Sequence, residues 1–247
     1  MKLQYSQSGF AGSVCAIEPA NSLVGEPPRR PGVLAMETVV VALVALAAIK
    51  ALNVQRALNV RWILIPGIQV AAALIPTWIA RRDFPRIGLH LQDAKTALKA
   101  VGLVSLIVLP PVFLGLWLLG HVGLSIPLRP TLGQRNDWIS WLFYQFLYVA
   151  VAEEVFFRGY IQANVMRLFA GQRWASTRVR NGMVLLISAA CFALAHVAVQ
   201  GRAVSLLTFL PGLLLAWLFI RTRSLLASIV FHGLANVAYG LMTLALA

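Results

Sequence analysis

Charge is what this chain has least of: Asp, Glu, Lys and Arg together make up 12% of its 247 residues. An ordinary soluble domain carries about 25%. That deficit, with 60% hydrophobic residues and a mean hydropathy of +0.79, excludes a water-soluble globular protein. Cysteine is scarce too. Cys15 and Cys191 are the only two, too few for a disulfide framework or a cysteine metal cluster, and Cys191, inside an apolar run, reads as a small buried hydrophobe. No HExxH pattern occurs. The three aspartates fall between apolar runs or, for Asp137, at the edge of one, and Ser188 and Ser205 have no base motif beside them, which argues against aspartyl or serine hydrolysis within a membrane. No convincing internal repeat is present, since the echo of residues 51–54 in residues 57–60 is too small. A transporter built from repeated halves should show one.

Long apolar runs are what the chain does have. A spanning helix needs about 20 mostly apolar residues, and seven stretches qualify: 34–52, 62–80, 99–120, 137–158, 182–200, 203–221 and 224–246. The pattern predicts an all-α, polytopic transmembrane helical bundle of seven spans, or eight if a half-buried segment adds one, in a single domain over 33–247. Residues 1–32 are polar and rich in Gly, Ser and Pro. They read as a flexible tail without a cleavable signal peptide, with Met36 as an alternative start. The third run holds Pro110 and Pro111 and is expected to kink there. The fourth, interrupted only by Gly159, is expected to run on to Phe169. Residues 84–98 read as a surface segment, an interfacial amphipathic helix. His90 and His121 fall at interfaces, and Trp62, Trp78 and Trp138 near run ends fit an aromatic belt.

The net charge of +13 lies in short clusters between runs. No basic face with interleaved aromatics exists, so nucleic acid is not an expected partner; an anionic bilayer leaflet is. With seven spans, 15 basic residues fall on the N-terminal side, including Arg29, Arg30, Arg81, Arg82, Arg178, Arg180, Arg221 and Arg223, against six on the other. The positive-inside rule then places the N-terminus in the cytoplasm and the C-terminus outside. Short loops and an Ala-, Leu- and Arg-rich composition suggest a bacterial inner membrane.

Against this background Glu153 and Glu154 stand out, two of only eight acidic residues, at the end of an apolar run. A carboxylate at membrane depth costs roughly 2.5–3.5 kcal/mol or more and marks a functional site whose partners must be named. Arg158, four residues beyond Glu154, shares its helix face and can pair with it. Glu153 points about 100° away, so the two glutamates need not serve one purpose. In the fifth run Phe192 and His196 share a face, and the ring can wall the imidazole. In the seventh, His232 and Asn236 are four apart and can aim two donors at one point. These residues permit hydrolysis. Glu153 and His196 could hold and deprotonate a water molecule, while His232 and Asn236 could donate to the oxyanion of a tetrahedral intermediate. Other readings stay open at this point: a structural salt-bridge knot, hydrogen-bonding glue between helices, a zinc site drawn from the two glutamates and two histidines, or the proton relay of a transporter. One detail fits less well. His196 sits near the end of its run, about 7 Å from the expected depth of Glu153 at 1.5 Å per residue.

The same residues carry a resemblance. Glu153-Glu154-Val-Phe-Phe-Arg158 resembles the EExxxR motif of the CPBP family, the glutamic intramembrane proteases that include the CAAX-processing enzyme of prenylated proteins. Phe192-Ala-Leu-Ala-His196 is similar to that family's FxxxH motif, and His232-Gly-Leu-Ala-Asn236 to its HxxxN/D motif. All three occur in the family's order on separate runs, within about residues 84–246. The resemblance implies an endopeptidase that needs no metal or other cofactor. In it Glu153 and His196 activate water, and His232 and Asn236 form the oxyanion hole. It also implies a peptide or protein substrate with a membrane-proximal segment. Bacterial relatives process leader peptides or C-terminal sorting signals, and a substrate of that kind is expected. Some relatives are thought to be non-catalytic immunity or scaffold proteins, a reading that the intact motifs argue against.

Overall fold

The computed structural model describes residues 28, 30–54, 61–82, 94–123, 138–170, 172 and 176–245. Among them, seven helices are long and apolar enough to cross a membrane. They are α1 (Pro31–Val54), α2 (Arg61–Ile79), α3 (Ala94–His121), α4 (Trp138–Phe169), α5 (Thr177–Gln200), α6 (Ala203–Thr222) and α7 (Leu225–Ala245). The chain is an all-α polytopic bundle, and no strand occurs among the described residues. Helices suit this composition because in lipid each backbone polar group must find its partner within the segment.

Local signals set several helix ends. α5 begins after Ser176, whose side chain accepts a hydrogen bond from the Val179 N–H at 3.4 Å, and stops at Gly201. Gly201 has φ +68° and donates to the Val197 carbonyl at 2.8 Å, a left-handed cap that a Cβ would strain. α6 opens with a 3₁₀ turn over Ala203–Thr208, and Arg223, at φ +55°, turns the chain sharply into α7.

α4 is the centre of the bundle. Its Phe156, Tyr160 and Val165 form one apolar cluster with Ala45 of α1, Ala73 of α2, Val184 and Phe192 of α5, and Phe219 of α6. A second cluster joins Val101 of α3, Leu215 and Leu218 of α6, and Ala227 and Phe231 of α7. The outward faces remain apolar, with Leu43, Trp78, Leu106, Leu194 and Leu210 exposed, as lipid-facing surfaces should be. By these spans the chain is an integral membrane protein.

Two features depart from the sequence reading. α3 starts at Ala94, so the last five residues of the surface segment expected over 84–98 belong to the opening turns of a span. Ala97 is buried against α6 and α7 while Lys95 and Lys99 stay exposed, and no Gly or Pro between Ala94 and Val101 stops the helix. Residues 84–93, with His90, lie outside the described residues, as does the expected tail up to residue 27. α3 is helical through Pro110 and Pro111, where the sequence predicts a kink. Finally, α4 reaches Phe169 as expected but is not uniform. Residues Tyr144–Ala150 and Val155–Gln162 are π-helical, and they flank the single α-helical turn Val151–Glu154. Val151 N–H accordingly donates to Phe146 O, five residues back. Such π turns are rare and often occur at functional sites.

Candidate active site

The two glutamates sit on the short α-helical turn between the π stretches and face different environments. The side chain of Glu154 is 0% exposed, and that of Glu153 is 17% exposed. Glu154 has two cationic or protic neighbours. Arg158 Nε lies 3.2 Å from Glu154 Oε2, though too poorly aligned to count as a hydrogen bond. His232 Nδ1 lies 2.8 Å from Glu154 Oε1, and since an ionised carboxylate only accepts, that nitrogen carries the proton.

Arg158 is fully buried, and other partners hold it. Its Nη2 donates to the Gly212 carbonyl of α6 at 3.1 Å, and its guanidinium lies over the Phe192 ring, 4.6 Å from the centroid. That stacking offsets part of the desolvation of a buried cation. Gly212 matters sterically as well, because a Cβ there would press on Phe192 at 3.3 Å and on Ala189.

Glu153 faces the histidines. Its Oε2 is 3.8 Å from His196 Nε2 and 3.8 Å from His232 Nε2, and it is buried without a hydrogen-bond partner. Those distances are too long for direct hydrogen bonds and fit bridging by one water. The tautomer of His196 follows from its other nitrogen. Nδ1 lies 2.9 Å from the Phe192 carbonyl, an acceptor only, so Nδ1 is the donor and the neutral ring presents Nε2 as an acceptor. Phe192 walls the site, its ring centroid 4.4 Å from that of His196 and 6.0 Å from that of His232.

The structure therefore brings Glu153, Glu154, Arg158, His196 and His232 into one contact network drawn from α4, α5 and α7. The depth gap expected for His196 does not keep its imidazole from Glu153. Asn236 lies one turn beyond His232 and bonds elsewhere: its Nδ2 donates to Gln145 Oε1 of α4 at 3.0 Å. Two relations escaped the sequence reading. His232 spans both glutamates, one through each ring nitrogen, and Asn236 finds its partner in Gln145, which belongs to no motif. Only its isolation as an amide in an apolar run could have marked it. Among the described residues, no three His, Cys, Asp or Glu side chains form a group that could hold a metal ion.

A second polar group lies outside this site. Arg82, just past α2, forms a two-pronged pair with Glu37 of α1, and Tyr160 of α4 donates to the same Glu37 at 3.0 Å. Asn164 Nδ2 donates to Thr38 Oγ1 at 3.1 Å, and Gln162 bridges Ser188 of α5 and the Ala216 carbonyl of α6. The first two spans, from which the sequence reading drew nothing specific, are thus tied directly to the helix that bears the glutamates.

No curated protein and no solved structure matches the chain. Residues 135–238, which contain the three motifs, match the model of the Rce1-like family, described as type II CAAX prenyl endopeptidase Rce1-like. Over that segment the chain is similar to the CPBP family of CAAX-type endopeptidases, in line with the resemblance its motifs carry.

Proposed function

We propose that the protein is a glutamate-dependent intramembrane endopeptidase that hydrolyses a peptide bond using a water activated by Glu153 and His196. The observation that carries this reading is the placement of Glu153 Oε2, buried, unpaired and 3.8 Å from Nε2 of both His196 and His232. A water between Glu153 and His196 meets two acceptors. Its protons point at the carboxylate and at Nε2, and an oxygen lone pair is left for the scissile carbonyl carbon. Attack forms the C–O bond and moves one water proton to Glu153 or His196. The oxyanion then needs donors. Asn236 can supply an N–H, and His232 can supply Nε2–H when both its nitrogens are protonated, the form in which Nδ1–H still satisfies Glu154. Collapse breaks the C–N bond, and the proton held by the base passes to the leaving amine.

The substrate is a peptide or protein that presents a membrane-proximal segment, most simply a bacterial leader or sorting tail. Glu153→Gln and His196→Ala should each abolish cleavage while the protein still folds and inserts. Asn236→Ala should slow it by roughly 10²–10³, as loss of one oxyanion donor does. The measurement is mass spectrometry of protein termini in host membranes that carry wild-type or Glu153→Gln protein. An identical set of termini in both would remove the proposal. Chelators should leave cleavage unchanged, and a chelator-sensitive, zinc-rescued activity would replace this mechanism with a metal-dependent one.

A further inference from the structure

We propose that Gln145 is a positioning residue of this site, holding Asn236 so that its nitrogen end, and not its oxygen end, faces the reacting carbonyl. The inference rests on the hydrolytic reading above. An asparagine side chain left to itself can present either end of its amide, and the oxygen end would repel a developing oxyanion. The Oε1 of Gln145 accepts one Nδ2–H of Asn236 at 3.0 Å. That bond occupies one of the two amide protons and fixes the plane of the group, so the second N–H remains to donate.

The local packing supports the contact independently. Gly233 follows His232 directly and is buried, and a Cβ there would overlap the ring of Phe146. Phe146 is the neighbour of Gln145 in the π-helical stretch Tyr144–Ala150. The ring therefore fills the space that any other residue at position 233 would need. It seats this stretch of α4 directly on α7, one turn from Asn236. The approach that lets Gln145 reach Asn236 is built into the helix pair.

The test uses a peptide spanning a terminus found by the membrane comparison, made as a quenched fluorogenic substrate. Gln145→Met keeps the volume and removes the acceptor. It should lower kcat about tenfold, short of the 10²–10³ of losing the donor itself, with KM unchanged. In an Asn236→Ala background the same change should alter kcat less than about twofold, because the two residues act as one unit. A residue with a merely structural role would slow both backgrounds alike. Wild-type kcat in Gln145→Met, or an equal loss in both backgrounds, would overturn the proposal. A second readout is the ¹⁵N side-chain amide of Asn236, identified by its loss in Asn236→Ala: the resonance of one of its two protons should shift in Gln145→Met as its acceptor is lost. An unshifted pair would also overturn the proposal. Retained cleavage by Glu153→Gln would remove the hydrolytic reading, whereas an inactive Glu153→Gln beside a fully active Gln145→Met would remove only the role of Gln145.

Discussion

Each ring nitrogen of His232 meets a different glutamate, Nδ1 with Glu154 and Nε2 with Glu153, so one side chain links the buried ion pair to the partly exposed carboxylate. This arrangement separates the roles of residues that lie side by side in sequence. Glu154 and Arg158 have no exposure at all, and removing one member of such a pair leaves the other charge uncompensated, at about 3–5 kcal/mol. Arg158→Met should therefore lower the thermal unfolding midpoint in detergent sharply, and Glu154→Gln combined with Arg158→Met should recover part of the loss. An unshifted midpoint in the single variant would contradict the pairing. Much of this was legible in the residues themselves. The four-residue spacing of Glu154 and Arg158 predicted their contact, and that of Phe192 and His196 predicted the aromatic wall. The bridge through His232 was not legible, because spacing within one helix says nothing about what a ring nitrogen meets on another.

At the scale of elements, α4 carries the distinctive feature: two π-helical stretches around the turn that holds both glutamates. Every residue from Val155 to Gln162 is buried, so Arg158, Tyr160 and Gln162 must each bond to a neighbouring helix, and each does. The length of α4 could be read from the absence of proline. The π turns could not, since widening a helix by one residue per turn leaves no mark in composition. The same blindness hid Gln145. The seat of Phe146 on Gly233 yields a prediction at this scale. Gly233→Ala should force α4 and α7 apart and reduce turnover, although alanine is the better helix former by roughly 1 kcal/mol. Phe146→Ala in the same protein should restore part of the rate by making room. Full activity in Gly233→Ala, measured with the fluorogenic peptide, would show that the contact can relax freely.

For the whole molecule, the seven spans followed directly from runs of about 20 apolar residues, and every expected run is a helix. The start of α3 was misjudged because Lys95 and Lys99 resemble loop charges, whereas long basic side chains can extend from a helix toward the interface. The inequality of basic residues between the two sides predicts a cytoplasmic N-terminus. In intact cells a membrane-impermeant maleimide should label a cysteine placed at Arg202 and reach one placed at Arg178 only after lysis. The reverse pattern would invert the topology.

The bonds from Glu37 to Arg82 and Tyr160 bear on how small a piece of this protein can stand alone. A fragment reduced to the matched segment would leave the Tyr160 hydroxyl and the Asn164 amide stranded among hydrocarbon, at about 1–3 kcal/mol for each orphaned group. Trimming toward a minimal catalytic unit should therefore stop short of Glu37.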